Sequence, residues 1–176
     1  MTSPVIEQLH KHYSVRKYKP EPVAADLINT IVAAGQRAST SSNLQTFSIV
    51  AVTDADKRQE LSMLCGNQDS IRQAPVFLAW CADLTKLDRA CELRGYDHVH
   101  THVGNFLVAA VDAAIAMQNA AVAAESMGLG MCYIGGIRNE SQAVIDLLGL
   151  PKLVFPVSGM IVGWPDADPA IRPRFD

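Results

Sequence analysis

Residues 103–136 read VGNFLVAAVDAAIAMQNAAVAAESMGLGMCYIGG, and their interpretation sets the fold. Alanines crowd the stretch from Ala109 to Ala124, which favours a helix, and apolar residues lie all round the cylinder. That pattern predicts a long central helix over Val103 to Met127, covered on every side, within the domain or at a subunit interface. The stretch is long enough to cross a bilayer, but Asp112, Gln118, Asn119 and Glu125 interrupt it, so it reads as a core helix. Gly128-Leu129-Gly130 stops the helix through a left-handed cap, and Met131 to Ile134 reads as a strand. Gly135-Gly136 follows that strand directly. Two residues without Cβ let backbone N–H groups approach a planar ligand, although a plain tight turn explains the pair equally well.

Working outward, Leu27, Ile28, Ile31, Val32 and Gly35 recur at helical spacing, and the polar run Ser39-Thr40-Ser41-Ser42-Asn43 ends that helix. Thr46 to Thr53, Pro75 to Cys81 and Phe155 to Trp164 are apolar, β-rich runs of strand length. Ala55 to Leu64 is expected to be helical, as is Asn139 to Leu148 with Asn139 as its cap. Thr85 to Thr101 is charged and weakly periodic, and is expected to be a mobile surface excursion. Helices and strands mix without a regular βαβ beat, so the expected class is α+β.

A chain of 176 residues suits one domain that buries on the order of 70% of its unfolded surface. Its net charge of -3 gives no bulk attraction to nucleic acid or an anionic membrane, so any anion must be held by a local cluster. Cys65, Cys81, Cys91 and Cys132 form no C-x-x-C pair and follow no signal peptide, which favours a reduced, cytoplasmic chain.

One such cluster is legible. In His12-x-Ser14-x-Arg16, alternate positions of an extended segment share a face, placing an imidazole, a hydroxyl and a guanidinium along one groove. Arg172 and Arg174 repeat the spacing, with Pro173 fixing the backbone between them. Each motif alone reads as solvated surface charge. Together, with Tyr133-Ile134-Gly135-Gly136 between them, they supply charge for a phosphate tail and bare amides for a flat redox ring, the needs of a flavin. Gln68 offers a donor and an acceptor that suit the imide edge of such a ring. Gly128-x-Gly130 is not a dinucleotide fingerprint, because it follows a helix. His98-x-His100-x-His102 is the rival site, three imidazoles on one extended face, but no second ligand cluster completes a metal centre.

With these motifs in view, the chain resembles the nitroreductase family, most closely its NADPH-dependent flavin reductase and oxygen-insensitive nitroreductase branch. The resemblance spans essentially all 176 residues and rests on H-x-S-x-R at His12 to Arg16, Ser39 to Gln45, Gly66-Asn67-Gln68, the run into Gly136, and G-W-P followed by R-P-R at Arg174. It implies a mostly antiparallel sheet flanked by helices and a non-covalent FMN reduced by NADPH or NADH. His12, Ser14, Arg172 and Arg174 would then hold the FMN phosphate and ribityl chain, and Arg16 would face the pyrimidine side of the ring. Ser39, Ser41 and Gln68 would flank the ring, with Tyr133, Ile134, Gly135 and Gly136 at its reactive edge. No side chain is required as nucleophile or acid. The implied activity is ping-pong, two-electron reduction of nitroaromatics, quinones or free flavin by a cytoplasmic homodimer, with a non-catalytic flavin-binding protein as the alternative. Relatives in this branch continue beyond R-P-R, so the chain is expected to lack the family's C-terminal extension. It is expected to need no metal, nucleic acid or membrane.

Overall fold

The computed structural model describes residues 3–97, 102–167 and 171–174. Its spine is a four-stranded sheet of β1 (Phe47–Val52), β2 (Val76–Asp83), β3 (Gly130–Ile134) and β4 (Val154–Gly163), in the order β1-β2-β4-β3. Every pairing is antiparallel. Central β2 is buried along its whole length, and its side chains divide by parity. Val76, Leu78 and Trp80 enter one core, whereas Phe77, Ala79 and Cys81 enter the other, as the two-residue period of a strand requires. A continuous apolar run in the sequence therefore marks a strand covered on both faces.

The first core lies beneath α2 (Ala25–Gln36) and the long α6 (Val103–Ser126). Ala113, Ala116, Ala120 and Ala124 form the inward stripe of α6. Their small size lets α2 come close: a Cβ on Gly35 would stand 3.0 Å from the Ala116 carbonyl oxygen and 2.8 Å from the Trp80 ring. The second core lies under α3 (Ala55–Leu64), α4 (Asp69–Gln73) and α7 (Ser141–Leu148), with Leu61, Ile71 and Val144 pointing inward. Two further helices, α1 (Pro4–His10) and α5 (Thr85–Leu93), bury no residue of their own.

All four strands, α2, α3 and α6 fall where the sequence places them. α6 ends as expected, with Gly128 at φ +81° and the Leu129 N–H returning to the Ala124 carbonyl. Two expectations need correction. The stretch after Thr85 is not wholly irregular: Asp83 caps α5 by accepting from the Thr85 N–H and hydroxyl. Asn139 is not the cap of α7, which starts after Glu140. The cover expected all round α6, within the domain or at a subunit interface, is supplied within the chain on one side, and Leu107, Val111 and Ile115 stand open on the other.

Candidate functional site

The two remote cationic segments meet because both run along the β3 and β4 side of the sheet. The Val15 N–H donates to the Met131 carbonyl at 2.9 Å, and the Lys19 N–H donates to the Trp164 carbonyl at 2.9 Å. The Asp166 N–H returns to the Lys17 carbonyl at 3.0 Å, so chain ends 150 residues apart lie side by side. Val15 and Tyr18 are buried and act as the anchors, with the Tyr18 hydroxyl donating to the Val15 carbonyl at 2.6 Å. Anchoring Val15 inward turns Ser14 and Arg16 outward, as alternation in an extended segment dictates.

His12, Tyr13, Ser14, Arg16, Arg172 and Arg174 line a single pocket of about 220 Å³. Three guanidiniums, an imidazole and a hydroxyl around one small polar cavity form an anion site. Beneath it sits the Cys132 thiol, pushed up by burial against the opposing pull of Arg16 and a hydrogen bond with Ser14. The imidazole is already engaged from behind: His12 Nδ1 lies 2.6 Å from Glu125 Oε1, near the end of α6.

The diglycine turn opens a short 3-10 segment, Gly135–Arg138, straight after β3. A Cβ on Gly136 would lie 2.3 Å from the Cys65 carbonyl oxygen and 2.9 Å from Gln68 Nε2, so only glycine fits. That close approach places Gln68, which donates to the Cys65 carbonyl at 2.6 Å, beside the turn. One residue before Ile134, the Tyr133 hydroxyl donates to Gln118 of α6 at 2.7 Å. Burial and the Glu125 carboxylate push that phenol up to about 12.

Ser39 and Ser41 lie elsewhere. They line a separate apolar trough of about 420 Å³ with Leu107, Val108, Val111 and Ile115 of α6. The buried Asp112 ties this loop down, accepting from the Ser41 N–H at 2.9 Å and from the Thr46 hydroxyl at 2.9 Å. The tether matters because Ser42, Asn43 and Gln45 all hold left-handed backbone, which non-glycine residues adopt at a cost. Asp112 and Glu125 are thirteen residues apart on α6, a rise of about 20 Å. The structure therefore unites His12, Ser14, Arg16, Arg172 and Arg174, sets Gln68 against Gly136, and leaves Ser39 and Ser41 in a separate trough. Tyr13, Asp112 and Glu125 are the site features that the motifs did not single out. His98 and His100 lie outside the described residues, among which no metal-ligating cluster of three or more acidic, Cys or His residues occurs.

An antiparallel sheet gripped by a long helix, with a cationic pocket at its edge and a glycine turn over its end, defines an α+β domain with an anion site. Comparison with known proteins narrows the class. The model of the nitroreductase family matches residues 9–66 and 59–164. The chain is 42% identical over 172 residues to an FMN reductase (NADPH) of Bacillus subtilis, covering 96% of this chain and 69% of that one. It is also 42% identical over 172 residues to an oxygen-insensitive NADPH nitroreductase of Salmonella typhimurium, covering 98% of this chain and 70% of the relative. The solved structure of NfrA2 from B. megaterium superposes with a TM-score of 0.97 at 43% identity, over 99% of this chain and 72% of that one. The chain belongs to the nitroreductase family.

Proposed function

We infer that this chain is an FMN-dependent NAD(P)H oxidoreductase that reduces nitroaromatics, quinones or free flavin, and that residues 1–176 form one FMN-binding domain of a cytoplasmic homodimer. The pocket between the two chain ends carries the reading. Its donor set suits a phosphate monoester: Arg172 and Arg174 offer forked N–H donors, Ser14 a hydroxyl and His12 an imidazole. The turn at Gly135 and Gly136 would take the ring's edge, with Gln68 packed against Gly136 and tied to the Cys65 carbonyl. When bound, FMN would supply two-electron chemistry, accepting hydride from the pyridine nucleotide and passing the electrons to the acceptor. The protein's part is placement. Arg16 would put a positive charge against the pyrimidine side of the ring, while Gly135 and Gly136 would bring backbone amides to its opposite edge.

The open apolar face of α6 supports the homodimer. A second copy whose α6 packs against the open face of the first would bring its own Ser39 and Ser41 toward the ring. Leu107, 62% exposed, and the neighbouring Val111 and Ile115 provide the apolar surface for that contact.

Apoprotein mixed with FMN should retain it through gel filtration, bleach anaerobically with NADPH and regain its colour when a quinone is added. Protein that stays colourless after loading would refute the assignment. Bound FMN that NADPH and NADH both leave oxidised would instead select a flavin-binding protein without turnover.

A further inference from the structure

His12 faces two ways. On one side it lines the pocket formed with Ser14, Arg16, Arg172 and Arg174; on the other its Nδ1 stands 2.6 Å from Glu125 Oε1. A carboxylate beside an imidazole engages the ring nitrogen it touches, here Nδ1. The ring nitrogen that remains for a ligand is Nε2. Glu125 is itself only 10% exposed and projects from the last turn of α6, the best-anchored helix of the fold. A long side chain held there has little freedom, and the imidazole inherits its restraint.

We propose that Glu125 is a positioning residue of the anion pocket, fixing the ring plane and tautomer of His12 so that Nε2 presents to the phosphate of the bound flavin nucleotide. This rests on the FMN reading above and deepens it. A carboxylate behind a ligating imidazole sets its orientation and strengthens its interaction with whatever lies beyond, as metal-bound histidines show. Glu125 also sets a negative charge behind a pocket that otherwise gathers three guanidiniums. Those cations attract any anion, whereas a directed Nε2 selects a geometry.

The bland account is a staple: Glu125 and His12 merely clip the N-terminal segment to α6. Riboflavin separates the two accounts, because it shares the ring and ribityl chain of FMN but lacks the phosphate. Dissociation constants for both flavins are measured by fluorescence quenching in apoprotein of the wild type, Glu125→Ala, Glu125→Gln and His12→Asn. The proposal expects Glu125→Ala to weaken FMN about tenfold and riboflavin less than about twofold, within the range seen when outer-shell carboxylates are removed. Glu125→Gln, which keeps an acceptor oxygen but no charge, should recover part of that loss. In the His12→Asn background Glu125→Ala should cost nothing further. Equal weakening of both flavins, or an unchanged FMN constant, overturns the proposal. Riboflavin binding reports that each variant has folded. Failure of the wild type to bind FMN would overturn the parent reading and this one with it, an outcome distinct from a wild type that binds and a variant that binds equally well.

Discussion

The middle and the C-terminal end of α6 each carry one carboxylate aimed at a segment from far along the chain, yet they serve opposite surroundings. Asp112 is sealed in the core and accepts only from neutral donors, the amides of Ser41 and Thr46 and the Thr46 hydroxyl. Glu125 lies at the rim and meets an imidazole that opens on a cationic pocket. A buried carboxylate among neutral donors is committed to structure, because losing it strands every donor at once. A rim carboxylate paired with a ligand-facing base is free to serve binding. The same helix thus holds one loop rigid and tunes another.

The largest effect should come from breaking the buried tether. Asp112→Ala leaves two amides and a hydroxyl without their acceptor and releases three left-handed residues, a loss on the order of 3 kcal/mol. For a domain of this size that lowers Tm by roughly 6–12 °C, measurable by calorimetry. A fall of less than about 2 °C would show that the loop holds itself in place.

Next in size is Gly136→Ala. Its Cβ would drive into the Cys65 carbonyl at 2.3 Å, so the turn must move at a cost of about 1–3 kcal/mol. Because Gln68 shares that contact, flavin retention should fall together with Tm. Retained FMN affinity in a destabilised variant would separate the turn from the cofactor site.

At the pocket the balance reverses. Arg172→Ala and Arg174→Ala should each weaken FMN roughly tenfold, since a charge-assisted hydrogen bond is worth about 1.5 kcal/mol or more. Both side chains are exposed, so stability should change by less than about 0.5 kcal/mol. Calorimetry of the apoprotein beside a flavin titration checks both halves. A large fall in Tm would make the arginines structural.

These contrasts follow what was legible in the sequence. β2 and α6 were readable because burial on both faces of a strand, or a stripe of alanines along a helix, leaves a dense local pattern. The cationic pocket was readable because His12, Ser14, Arg16, Arg172 and Arg174 alternate within two short extended segments. α1 and α5 were not, since neither buries a residue and periodicity has nothing to report. For α1 a signal was there: Ser3 caps it by accepting from the Ile6 N–H, with Pro4 in the first turn and Glu7 beyond. Asp112 and Glu125 stood out as polar breaks in an apolar helix, but their partners did not, because Asp112 meets Ser41 across 71 residues and Glu125 meets His12 across 113. Pairing at such separations is a property of topology, and one sequence without its fold does not encode it locally.

The smallest expected effect lies midway between the carboxylates, where Gln118 accepts from the Tyr133 hydroxyl. Neither buried core nor charged pocket, this third tether distinguishes a gradient along α6 from two unlike sites. Tyr133 holds its proton up to about 12, against about 10 for an unfolded tyrosine. Between those values the folded chain binds more protons than the unfolded one, so stability declines as pH rises from 10 toward 12. Below pH 10 the contribution is complete. Tyr133→Phe should remove that part of the alkaline slope and cost about 1 kcal/mol at neutral pH, the worth of one ordinary hydrogen bond. Melting curves of both proteins across the alkaline range provide the measurement. Identical slopes would mean that Glu125 and burial do not act on this phenol, and the reach of the rim carboxylate would end at His12.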